Sequence, residues 1–521
     1  MTSMRSLGSI FSGASIVFLG MVIDKGVSFG GRALIARYLS PLKYGEVGLG
    51  VTVMTFLASI SLLGLHDGLS RYLPRLDSRG RTLSFLLSAF QSAMPLAILL
   101  GISVTVFAGS IAEFLRVPDI SPLLRIAGFG IPVIVLFKLT TGAVRGAGRA
   151  MPRVYMENIA MPVTKLVSFA IVIVLGLGTS VMLWGYVIAY SVAAVLGVYF
   201  LYTLYLREGE LDLKEQEGAF SLFDSKSWRS LLQFSAPLLL AGLMFRVLSD
   251  IDVFLLSYFT SSPRPIGIYQ AIYPLGSLLT LFLLACNYMV LPIFSELESR
   301  GNNNEMRESY RTLTKWIFVV SLPVFVSFLV FPNLLISMTF GEAYTSGSTA
   351  LQILAAGFLF HIVTGPNGET LQAIGRSKTV MMDNATVAVS NVVFNIVLIP
   401  RFQLVGAIVA TFLGYVLWNV LMSYQLYRET KIRPITGGEV LVPFLLSLGA
   451  VLFTFMPFAP DVSTFLFFVV FMFVYGVIYS TVIFRYVIDT QDISLLEDVE
   501  QKVGTNLQSL KTVIRLFSNS L

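Results

Sequence analysis

Lys25, Arg32, Lys138, Lys165 and Arg246 are cations set in stretches otherwise built from Leu, Val, Ile, Phe and Gly. A charge at such a position costs about 2.5–3.5 kcal/mol on insertion scales, so each should face a protein interior or a watery cavity. Lys25 and Arg32 are seven residues apart, which puts them on one helical face two turns apart. Guanidinium and ammonium groups gathered in this way can replace water around a phosphate or pyrophosphate, and both anions are equally compatible with them. These five cations are therefore the candidate anion-binding residues. The acids have candidate partners: Asp24 adjoins Lys25, and Asp250 lies four residues after Arg246. Asp24 and Asp250 are thus either neutralising partners or coupling and gating groups. Asp250-Ile251-Asp252 spells a glycosyltransferase-like DxD, but it falls inside an apolar stretch with no nucleotide-binding domain nearby. His361 is expected as a hydrogen-bonded core histidine. Gly365-Pro366-Asn367-Gly368-Glu369 should break its helix, either as a hinge or as a tolerated interruption.

The elements that must position these groups are membrane-spanning helices. Of 521 residues 55% are hydrophobic and 13% charged, a balance foreign to soluble domains. Apolar runs recur at lengths that match a hydrocarbon core of about 30 Å. They give about 14 spans, near 10–36, 42–65, 82–108, 122–145, 153–177, 180–205, 230–258, 266–295, 312–335, 347–374, 379–400, 403–427, 439–459 and 463–487. The fold class is an all-α polytopic membrane protein. The first run carries Asp24, Lys25 and Arg32 in place of a small-residue cleavage site, so it is expected to be retained. The lone cysteine, Cys286, excludes a disulfide framework and a multi-thiol metal site. Walker A, Gly-x-Ser-x-Gly, paired-His and CxxC motifs are absent, so neither an enzyme nor a cofactor is expected. Nucleic acid is not an expected partner, because no basic stripe with interleaved aromatics lies outside the spans.

Alternating the loops between two sides collects most Lys and Arg on one of them, including Arg71 and Arg75, Arg145 and Arg149, Arg300 and Arg307, and Arg428 and Lys431. Both termini are therefore expected in the cytoplasm. Residues 1–206 form a six-helix lobe, 207–228 a cytoplasmic linker, 229–428 a second six-helix lobe and 429–487 an extra helix pair. The tail 488–521 reads as an amphipathic helix on the inner membrane surface.

A repeat supports the two lobes. Gly148-Arg149 followed by Glu157-Asn158 returns as Gly375-Arg376 followed by Asp383-Asn384, and Leu183-Trp184-Gly185 returns as Leu404-Val405-Gly406. The offset spans six helices, so the copies have parallel orientation about an axis along the membrane normal. The exit of the first helix, Ala36-Arg37-Tyr38-Leu39-Ser40-Pro41-Leu42-Lys43-Tyr44-Gly45, resembles the Arg-x-Leu-(Gly/Ser)-Pro-x-x-Tyr-Gly signature of the multidrug/oligosaccharidyl-lipid/polysaccharide exporter superfamily. Within it, the chain resembles the Wzx-like polysaccharide transporters and oligosaccharide flippases. Its second copy is Asp252 to Tyr258 followed by Ile266-Gly267-Ile268-Tyr269.

The resemblance implies a flippase at the cell membrane. It would carry a polyprenyl- or dolichyl-(pyro)phosphate-linked sugar from the cytoplasmic to the outer leaflet by alternating access, with H+ or Na+ as coupling ion and membrane lipids around the carrier tail. Two rivals stay open, a cation-coupled drug antiporter of the same superfamily and a non-transporting membrane scaffold.

Overall fold

The computed structural model describes residues 26–76, 79–148, 150–206, 242, 244, 246–247, 249–433, 438–454 and 464–487. Among them 91% are helical and none is in a strand, so the all-α membrane architecture holds. Ten helices among the described residues are long and apolar enough to cross a membrane. The first, seventh and thirteenth expected spans lie partly outside the described residues. So do Asp24, Lys25, the linker 207–228 and the tail 488–521 in full.

The helices are α1 (26–38), α2 (Pro41–Ser61), α3 (Leu65–Tyr72), α4 (Arg79–Val106), α5 (Ser121–Gly146), α6 (Met151–Val174) and α7 (Thr179–Leu201). They continue as α8 (249–260), α9 (Arg264–Gly276), α10 (Leu281–Ser299), α11 (Asn303–Val330), α12 (Ser348–Val363) and α13 (Asn367–Ala373). The last are α14 (Ser377–Thr430), α15 (Gly438–Thr454) and α16 (Thr464–Tyr486). The eleventh and twelfth expected spans are the two helical stretches of α14, which part at Gln403, whose φ of 49° and ψ of −123° are not helical and fall at the expected loop.

Two compact units emerge. The first comprises residues 1–271, 339–344 and 388–407, and the second 272–338, 345–387 and 408–521.

In the first unit α5 is the axis, packed against α2, α3, α4 and α7. The short return 339–344 joins this unit through Arg37, whose Nε donates to the Thr339 carbonyl at 3.0 Å, and through Tyr344, whose hydroxyl donates to the Leu39 carbonyl at 3.1 Å. Helices α2 and α9 start alike: Ser40-Pro41 caps one and Ser262-Pro263 precedes the other, each with a glycine four residues past its proline. At those glycines the two backbones meet. A Cβ on Gly45 would lie 1.8 Å from the Pro263 carbonyl oxygen, and a Cβ on Gly267 would lie 1.8 Å from that of Pro41.

In the second unit α16 docks through one stripe. Phe467, Phe471, Tyr475 and Tyr479 recur every fourth residue, and Phe331 meets the first two at ring-centroid distances of 5.7 and 5.4 Å. The Tyr475 and Ser447 hydroxyls lie 2.7 Å apart, and Tyr479 donates to the Val319 carbonyl at 2.8 Å. Below this stripe the buried Lys315 donates to the Val487 carbonyl at 3.3 Å, a cation placed at the negative end of α16.

Candidate functional site

Lys165 of α6 lies against one tyrosine of α7, and Arg32 of α1 is within electrostatic reach of it. The Lys165 Nζ is 5.9 Å from the centre of the Tyr186 ring. Arg32 acts electrostatically on the hydroxyls of both Tyr186 and Tyr44. Tyr44 belongs to the signature strip at the start of α2, so four helices of the first unit, α1, α2, α6 and α7, contribute here. The arrangement offers two cations and two phenols, the donors that a phosphoryl group accepts from.

Lys138 lies in a different neighbourhood. Its Nζ is 3.6 Å from Glu157 Oε1, and Glu157 Oε2 also accepts from Arg153 Nε at 2.7 Å. Glu157 sits in a π-helical stretch, Val154–Ala160, which widens α6 at that point. Nearby Asp67 is shared by Arg145 and His66, each at 3.4 Å. Burial pushes the His66 imidazole below its ordinary value, opposing the pull of Asp67, so it is neutral at physiological pH.

Arg246 and Asp250 form the ion pair that their spacing implied, with Nε and Oδ2 3.0 Å apart in a geometry too bent for a hydrogen bond. Asp252 points elsewhere. It is buried, accepting from the Tyr269 hydroxyl at 2.5 Å and from Asn395 Nδ2 at 2.6 Å. Two residues on a helix diverge by about 200°, which splits the apparent DxD. Sequence analysis gave Asp252 no role after setting the DxD aside, although its place inside a span, away from Arg246, was the available signal.

The second unit holds a polar hub on broken helices. Gly365, at φ +70°, ends α12, and the chain restarts at Asn367 as α13, as the Gly-Pro pair requires. Asn419 Oδ1 lies 3.1 Å from His361 Nδ1 and accepts from Thr364 Oγ1 at 2.6 Å and Asn367 Nδ2 at 3.3 Å. His361 stacks on Trp418 with ring centroids 4.9 Å apart. It is the hydrogen-bonded histidine expected from the sequence. Asn419→Leu would leave these groups unmatched at about 1–3 kcal/mol each. The expected result is a clear drop in the thermal unfolding temperature of the purified protein, and an unchanged temperature would show that the hub holds nothing.

The family model described as polysaccharide biosynthesis protein matches residues 10–298, more than half of the chain. The chain belongs to that family. The MatE model matches residues 237–397. Among curated relatives of this polysaccharide biosynthesis family member, the probable low-salt glycan biosynthesis flippase Agl15 of Haloferax volcanii is 25% identical over 208 residues, 40% of this chain and 44% of the relative. The probable flippase AglR of the same organism is 24% identical over 336 residues, 63% and 66% of the two chains. The first relatives are thus matched over less than half of their length. In fold, this polysaccharide biosynthesis family member is like the lipid II flippase MurJ in its inward closed conformation, with a TM-score of 0.72 at 15% identity over 90% of this chain and 99% of the other. An inward-facing multidrug resistance MATE family transporter of the MOP superfamily follows at 0.64 and 16%, covering 78% and 94%.

Proposed function

We propose that this protein is a flippase, not an enzyme, that moves a polyprenyl- or dolichyl-(pyro)phosphate-linked sugar from the cytoplasmic to the outer leaflet of the cell membrane. The observation that carries the proposal is Lys165 set over the Tyr186 ring, with Arg32 within electrostatic reach of the same tyrosine, inside a membrane-spanning unit. A head group bearing phosphate would accept charge-assisted hydrogen bonds from both cations. The flippase names of the relatives support the same cargo class. The lipid tail stays in the bilayer while the head crosses, and two lobes, 1–206 and 229–428, rock around it between states open to either side. Both termini lie in the cytoplasm, the side on which the cargo loads. Coupling to H+ or Na+ would draw on a carboxylate in the first unit such as Asp252, which is buried and accepts from Tyr269 and Asn395.

The test is lipid analysis of a deletion strain. A sugar-loaded carrier should accumulate on the cytoplasmic leaflet and disappear on complementation. Normal carrier levels together with new sensitivity to organic cations would reject the flippase in favour of a drug antiporter.

A further inference from the structure

We propose that Glu369 is a proton-binding site, held as the neutral acid by Asn287 beside the break between α12 and α13. The proposal rests on side-chain geometry within the second unit and stands whatever the cargo is.

Glu369 lies on α13 within a membrane-spanning stretch. Asn287 of α10 donates from Nδ2 to Glu369 Oε1 at 2.8 Å. The backbone N–H of Glu369 also serves its own carboxyl. None of the ion pairs among the described residues includes Glu369. The titratable group facing it from α11 is Tyr310, whose hydroxyl is committed to the Thr364 carbonyl. An ionised Glu369 would thus be a carboxylate in the membrane with neutral partners only, which is costly.

The other half of the amide decides the protonation state. Asn287 Oδ1 is buried and has no hydrogen-bond partner. A carboxylate has only acceptors to offer it. A protonated carboxyl supplies the missing donor: Oε2–H gives to Oδ1 while Nδ2–H gives to Oε1, closing a paired acid–amide ring. One proton therefore removes the uncompensated charge and satisfies the orphaned acceptor. Its loss sets acceptor against acceptor on a segment joined to α12 through Thr364, Gly365 and Pro366, so the two protonation states favour different positions of α13.

Glu369→Gln reproduces the neutral acid, since its amide can both donate and accept. In lipid discs at about pH 6, the infrared difference between wild type and Glu369→Gln should contain a protonated-carboxyl C=O band that fades towards about pH 9. The Asn287→Leu variant should move that band to the position of a carboxyl without a hydrogen bond. Wild type should unfold several degrees lower at the alkaline pH than at the acid one, because the folded state holds a proton that the unfolded chain releases. Glu369→Gln should lack this component. Carboxylate bands alone at about pH 6, a band unmoved in Asn287→Leu, or equal pH dependence of the two unfolding temperatures would each overturn the proposal.

Discussion

Replacing Gly45 or Gly267 by alanine should cost well over the ~1–3 kcal/mol typical of overpacking, and should part the start of α2 from the start of α9. In both cases the atom met at 1.8 Å is a backbone carbonyl oxygen, with the next helix's glycine nitrogen 2.9 Å away, so no side chain can swing aside. Gly476→Ala is the matched control: nothing lies within 4 Å of its added Cβ, and in a helix alanine is favoured over glycine by about 0.5–1 kcal/mol. Gln270 reports on the separation, because its side chain lies over Gly48, where a Cβ would meet Oε1 at 1.8 Å. In a Cys286-free background, Gln270→Cys should react faster with an impermeant thiol reagent when Gly45→Ala is added, and the unfolding temperature should fall. Because both glycines share one crossing, the double variant should cost less than the sum of the single ones. Wild-type stability with unchanged labelling would mean that the backbones do not meet there.

The second large effect is expected at the cations. Arg32→Ala and Lys165→Ala should each lower glycan export about 10- to 100-fold, the worth of one charge-assisted contact, with the protein still present in the membrane. Arg32→Lys and Lys165→Arg should retain part of the activity, since charge survives while donor geometry changes. Arg246 needs a different design, because Asp250 lies 3.0 Å away and would be stranded by Arg246→Ala. The Arg246→Ala/Asp250→Asn double variant removes both charges. Normal export by that double variant would assign Arg246 to charge balance alone, while inactivity with normal abundance would favour contact with the cargo. Full export by Arg32→Ala/Lys165→Ala would end the case for an anion site at Tyr186.

Hydropathy made the spans legible, and Gln403 and Gly365 turn or break the chain where polar and Gly-Pro residues interrupt the apolar pattern. The ion pair of Arg246 with Asp250 was legible because both partners lie on one helix face. Lys138 was not, because its partner Glu157 belongs to the next helix and meets it only through tertiary packing. Asp252 received no role once the DxD was set aside, because its partners Tyr269 and Asn395 come from other helices and meet it only through tertiary packing. Gly267 stood in the sequence as the counterpart of Gly45, yet its contact with the Pro41 carbonyl exists only once two distant helices cross.

The buried ammonium of Lys315 has a consequence for biogenesis. Its acceptor, the carbonyl of Val487, lies 172 residues later in the chain. During synthesis α11 therefore enters the membrane well before α16 has been translated, and for that interval the ammonium lacks its contact with the Val487 carbonyl. The contact closes only once α16 has been made. A chain that stops short of α16 lacks this contact, a difference between an unfinished copy and a finished one that membrane quality control can act on.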